Sequence, residues 1–198
     1  MEIENNKEQV PFEYYEEQFK KLVPADAASR LEDVSWDGTA FQVTLLGTTY
    51  TITHPVYSIN PTPVLPVQTF LLRYLLESKP AFWHGEWKTF REMPWGEMYI
   101  KPYTGRVLTR AAFTFGTRVE KFRAACEKLG ATPLPNGDAG FEFTLVGDFR
   151  LRILVWAGDE EFPPNAQVIY TDNFAEGFAA EDRVVAGDIL ISHIKASM

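Results

Sequence analysis

Three short stretches hold the residues whose types and spacing can do chemistry. The first is a run of three acids, Asp159, Glu160 and Glu161, which follows the apolar residues Leu151, Ile153, Val155 and Trp156 and is closed by Phe162, Pro163 and Pro164. Three consecutive carboxylates repel one another unless cations, helix N-termini or open water surround them, and the prolines stiffen the backbone that carries them. Two readings stay open: a solvated turn, or carboxylates converging on a divalent cation or on acid–base work, with Trp156 as a wall that would raise their pKa values. The second stretch combines the aromatic faces of Trp87 and Phe90 with the charges of Arg91 and Glu92. That mixture suits planar or anionic ligands and protein hot spots, although an aromatic core with an Arg91 ion pair to Glu160 or Glu161 explains it equally well. The third is the acid pair Glu181 and Asp182, at the start of the last helical segment.

Other reactive side chains point to no chemistry. His84-Gly85-Glu86 looks like half of a deaminase zinc site, but the other half needs a pair of cysteines and Cys126 is the only one. His54 and His193 stand in no ligand spacing and read as structural. Cys126 falls on the buried side of its predicted helix, where an inert thiol is expected. The nucleophile elbow, the zincin His-Glu-x-x-His, the dinucleotide-binding glycine motif and the P-loop are all absent. No metal and no cofactor is expected.

The elements that must position these residues follow from periodicity. Phe12, Tyr15, Phe19 and Leu22 share a helix face, and a short helix is expected over residues 26–31. Alternation then takes over at Phe41, Val43 and Leu45 and resumes at Tyr50 and Ile52, which predicts a hairpin. Pro61, Pro63 and Pro66 make a constrained loop. Residues 67–78 predict the central core helix, with Thr69, Arg73 and Glu77 on one polar strip. The chain is aromatic and irregular over residues 82–103, then helical from about Arg106 with a break at Gly116. Thr117 and Glu120 have capping-box spacing ahead of a helix whose buried stripe is Val119, Phe122, Cys126 and Leu129. Strands are expected over residues 141–145, 150–156 and 167–170. The last helix spans 181–195, with a strand over 189–194 as the alternative.

Composition bounds the rest. At 198 residues, with 45% hydrophobic and 14% aromatic side chains, the chain has enough apolar surface for a full core without staples. The balance of 27 acids against 19 bases, net −8, disfavours nucleic acid and anionic membrane as partners. One cysteine leaves no intrachain disulfide, in keeping with a reducing cytoplasm. Neither a signal peptide nor a membrane span is visible, and residues 1–10 read as a flexible tail. Hairpins and helices without a βαβ rhythm predict a single α+β domain over residues 11–198 with a mostly antiparallel sheet.

Three strings, Gly85-Glu86-Trp87-Lys88-Thr89-Phe90-Arg91-Glu92-Met93-Pro94, Trp156-Ala157-Gly158-Asp159-Glu160-Glu161-Phe162-Pro163-Pro164 and Ala180-Glu181-Asp182, resemble the bacterial family DUF3786, in order, from about Phe12 to Gly187. The resemblance implies no activity. Some members resemble proteins with an added iron–sulfur-cluster domain, which implies company with redox or corrinoid proteins; this chain lacks the cysteines for such a cluster, so a redox role would run through a partner. The expected function is therefore a cytoplasmic domain that binds a small ligand or a partner protein in a cleft between residues 87–92 and 159–164. The alternatives are a carboxylate-dependent hydrolase or lyase, metal-assisted or not, using Asp159, Glu160, Glu161, Glu181 and Asp182, and an interaction module for an iron–sulfur or corrinoid protein, marked by an exposed apolar patch. The candidate ligand-binding residues are Trp87, Arg91, Glu92, Trp156, Asp159, Glu160, Glu161, Glu181 and Asp182.

Overall fold

A computed structural model describes residues 6–198. Two antiparallel sheets and a set of helices share one core. The chain opens with α1 (Asn6–Phe19) and α2 (Pro24–Arg30), then forms a small meander of β1 (Ser35–Trp36), β2 (Ala40–Leu45), β3 (Thr48–Thr53) and β4 (Ser58–Asn60). The helix α1 starts inside the stretch expected as a tail, and residues 1–5 lie outside the described residues. Strand alternation sets the β2–β3 register, with Phe41 opposite Ile52 and Val43 opposite Tyr50. The proline loop leads into α3 (Leu65–Glu77), which buries Phe70, Leu71, Leu72, Tyr74 and Leu75.

The larger sheet has the order β5 (Trp87–Thr89), β9 (Asn165–Thr171), β8 (Phe149–Trp156), β7 (Ala139–Val146), β6 (Thr132–Leu134). Its inner face carries Phe141, Phe143 and Leu145, Leu151, Ile153 and Val155, and Val168 and Tyr170, all buried. The two sheets meet where the Leu46 N–H donates to the Leu145 carbonyl at 2.8 Å. Between β5 and β6 run a 3₁₀ turn (Phe90–Glu92), α4 (Gly96–Tyr103), a π-helical turn (Thr104–Thr109), α5 (Arg110–Phe115) and α6 (Val119–Lys128); the chain finishes with α7 (Phe174–Gly177) and α8 (Ala180–Ala196).

Two expectations change here. The central helix is α8, which buries ten residues from Ala180 to Ile194, whereas α3 buries five. Apolar and small side chains surround α8, so no single stripe advertises it. Gly187 lets it lie close: a Cβ there would meet Val107 Cγ1 at 2.9 Å and the Tyr170 hydroxyl at 3.1 Å. The strand alternative for residues 189–194 falls with this. The capping box expected at Thr117 and Glu120 is absent; the Thr117 hydroxyl donates back to the Phe113 carbonyl at 3.3 Å. The same Thr-x-x-Glu spacing does cap at Thr89 and Glu92, where the Glu92 carboxylate accepts from both the Thr89 N–H and its hydroxyl at 2.7 Å.

Candidate functional site

The acidic turn is solvated. Asp159 accepts from the backbone N–H groups of Glu161 at 2.8 Å and Phe162 at 2.7 Å, which closes the turn on itself. Those bonds hold its carboxyl below the ordinary value, the reverse of the rise expected from a Trp156 wall. Glu160 and Glu161 are exposed, and Trp156 is half-buried at the end of β8. Arg91 does not reach this turn; it pairs with Glu97 at 3.3 Å on an exposed surface. Glu92 is the capping residue described above.

Trp87 lies on the outer face of the large sheet. The Arg152 guanidinium sits over its ring at 3.7 Å, Arg150 over Trp83 at 5.1 Å, and Glu142 accepts from Arg152 at 3.0 Å and pairs with Arg150 at 3.3 Å. Each cation of this ladder has a ring and a carboxylate, with Arg150 Nε alone left buried and without a hydrogen-bond partner.

A different cleft gathers buried charge. The C-terminal end of α3, the turn before α4 and the start of α8 enclose about 290 Å³. The polar strip of α3 supplies Arg73, whose guanidinium reaches Asp182 on α8 (Nε to Oδ1 2.6 Å, Nη2 to Oδ2 3.0 Å) and Glu77 one turn on at 3.3 Å. The Tyr15 ring of α1 backs Arg73 at 4.9 Å. Burial, aided by Glu77 and Glu181 and opposed by Arg73, pushes Asp182 from 3.8 up to about 6. Ser78 closes α3 and donates to the Gly177 carbonyl at 2.7 Å.

Next to this pair stands Arg183, 1% exposed. Its Nη2 donates to the Pro94 carbonyl at 2.6 Å, its Nε to Ala179 at 3.4 Å, and Phe90 lies beneath the guanidinium at 5.8 Å, stacked in turn on Tyr103 at 4.1 Å. Among the described residues no carboxylate pairs with Arg183, and Nη1 has no hydrogen-bond partner. Burial pulls the guanidinium below its ordinary pKa. A buried cation without a carboxylate partner is costly.

The cleft rim is strained. Trp95 adopts φ +64°, ψ 3°, a left-handed conformation that a bulky residue avoids, yet its side chain is 68% exposed. Beside it, Gly96 packs so tightly that a Cβ there would sit 2.2 Å from the Phe90 carbonyl oxygen. Met98 and Tyr99, three and four residues on, are also exposed and continue the apolar rim.

Of the nine residues singled out from the sequence, Asp182 lines this cleft and Glu181 beside it is exposed; Asp159, Glu160 and Glu161 line neither this cleft nor the two others described next. The cleft of residues 89–91 with α4, the π turn and β9 contains Arg91 but no acid. A larger one, about 460 Å³, lies between α2, α3 and the β7–β8 turn; in it the Tyr74 hydroxyl donates to Asp33 at 2.6 Å, and Arg30 donates to the Leu75 carbonyl at 2.6 Å and to that of Ser78. Residues 87–94 therefore serve the Arg183 cleft through Phe90 and the Pro94 carbonyl rather than through Arg91 or Glu92. Sequence reasoning missed Arg73, Trp95 and Arg183. Arg73 alone left a signal, as a charge on the apolar α3.

Among the described residues no group of three or more His, Cys, Asp or Glu can hold a metal ion, and no helix is long and apolar enough to cross a membrane. Comparison with known sequences finds one family, described as Domain of unknown function (DUF3786), matching residues 24–193. No curated protein and no solved structure matches.

Proposed function

For a chain that belongs to the DUF3786 family, we propose a cytoplasmic binding domain whose ligand occupies the cleft lined by Arg73, Trp95, Asp182 and Arg183. One observation carries this reading: Arg183, among the residues that line the cleft, is buried with no carboxylate partner, and its Nη1 has no hydrogen-bond partner among the described residues. Its bonds to the Pro94 and Ala179 carbonyls hold the guanidinium in place but leave its charge without a carboxylate, and a buried charge carries a desolvation cost. A ligand that binds it supplies the missing compensation. The strained Trp95 supports the same view, since strain of this kind clusters at ligand sites.

The test is a native mass spectrum of protein purified gently from its host. The expected result is excess mass that leaves on denaturation and is missing from Arg183→Met; a bare mass in both proteins overturns the reading.

A second reading has its own observation. Trp95, Met98 and Tyr99, 68, 72 and 37% exposed, form an apolar rim that a protein partner would cover, and an iron–sulfur or corrinoid protein is the partner class implied by the family resemblance. It predicts a partner-sized mass that Met98→Glu abolishes while Arg183→Met retains it.

A further inference from the structure

We propose that this protein pairs with a second copy of itself through α4, the two helices packing antiparallel so that Trp95, Met98, Tyr99 and Pro102 of each cover those of the other. The inference rests on the second reading above, in which a protein covers this rim, and names that protein.

The helix α4 is apolar over a wider arc than the fold uses. Gly96 and Tyr103 are buried and Ile100 is half-buried, which seats one side of the helix on the core. Trp95, Met98, Tyr99 and Pro102 follow the i, i+3, i+4, i+7 spacing of a helix face, and all four are exposed. At the exposures given above, the first three present on the order of 450 Å² of surface, the size at which an apolar patch marks an interaction site. That is about half of one side of a standard interface, so the pairing is a weak one.

Symmetry and charge select the partner. The stripe at 95, 98, 99 and 102 reads the same in both directions, so a two-fold axis across an antiparallel pair sets Trp95 on the partner's Pro102 and Met98 on the partner's Tyr99, each contact made twice. Glu97 and Lys101, both exposed, lie one turn apart along one flank of the stripe. The same axis brings Glu97 beside the partner's Lys101. A chain of net charge −8 repels its copy over most of its surface, but this flank carries both signs, with Arg91 paired to Glu97 at 3.3 Å. By contrast α1, which exposes Val10 and Tyr14, sets them among Glu8, Glu13, Glu16 and Glu17 against Lys7 alone. Two copies would meet there with like charge.

The experiment is sedimentation velocity of the purified full chain over roughly 1 to 500 µM, with circular dichroism to follow the fold. The expected result is a reversible dimer that Met98→Glu weakens by about tenfold or more with an unchanged spectrum. A second arm leaves the apolar stripe intact. Glu97→Lys and Lys101→Glu each place like charges across the axis and should each self-associate about tenfold more weakly than wild type; mixed together, they form a heterodimer in which both pairs are opposite again. A monomer throughout the range, a dimer that Met98→Glu leaves intact, or charge variants that stay apart on mixing each overturn the proposal. A monomer whose native mass from the host includes a different protein, lost in Met98→Glu, overturns the second copy and leaves the second reading standing. A monomer with no protein bound in that spectrum overturns both.

Discussion

The turn after β8 and the start of α8 each carry consecutive acids, and the fold treats them in opposite ways. Asp159 stays in water and is satisfied by two backbone N–H groups of its own turn, which lower its pKa. Asp182 is carried inside, where burial raises its pKa and Arg73 is recruited from another helix to face it. The turn has three acids and little at stake. One buried acid beside one unpaired arginine concentrates far more electrostatic free energy. Charge density along a chain is therefore a poor guide to a site; desolvation decides.

The largest expected effect tests that contrast directly. Arg73→Ala leaves Asp182 buried without its cation and should cost about 3 kcal/mol in urea denaturation at pH 8. The loss should shrink at pH 5, where Asp182 takes up a proton; an equal loss at both pH values would show that packing against Tyr15, not charge, is what Arg73 contributes.

The pH dependence of the wild-type protein follows. Asp182 titrates near 6 in the fold and near 3.8 when unfolded, so between these values the folded state holds the extra proton. Stability from this group falls as pH rises from about 4 to about 6, by on the order of 2 kcal/mol, and is flat above that. Asp159 has the opposite sign: its contribution is present above its ordinary pKa and is lost as pH falls through the lowered folded value. Denaturation of wild type and Asp182→Asn over pH 4 to 8 should differ in slope within that window and run parallel above it. Parallel curves throughout would place Asp182 with Asp159 as a solvated acid.

Trp95→Gly comes next. Glycine relieves the left-handed φ and little burial is lost, so stability should hold or rise by roughly 1 kcal/mol while ligand binding weakens. A stability loss would mean that the ring is a packing element. The smallest effect is expected at the turn, where Glu160→Gln should leave both the denaturation midpoint and the native mass of any complex unchanged.

Much of the architecture was legible because it depends on local period. The β2–β3 and β7–β8 hairpins, α3, and the helix that buries Phe122 and Cys126 all follow from apolar spacing and turn residues, and the structure places each within a few residues of its expected bounds. The helix α8 was legible as a helix but not as the centre of the core, because Ala186, Gly187 and Ala180 are uninformative until something packs on them. The two Thr-x-x-Glu sequences show the same limit. Thr89 caps and Thr117 does not, since the first is preceded by an extended strand and the second by a helix whose Phe113 carbonyl is already in reach.

The site divides along the same line. The sequence by itself determined the family, the antiparallel α+β class and the presence of Asp182 among the chemically capable residues, because strings of adjacent residues and their periods carry that information. Only the tertiary structure decided that Asp182 is buried and Asp159 is not, that Arg73 crosses from α3 to meet it over 109 positions of sequence, and that Arg183 lies in a cleft wall without a carboxylate. Burial and pairing depend on which distant surfaces come together, and no local pattern of residue types encodes that meeting.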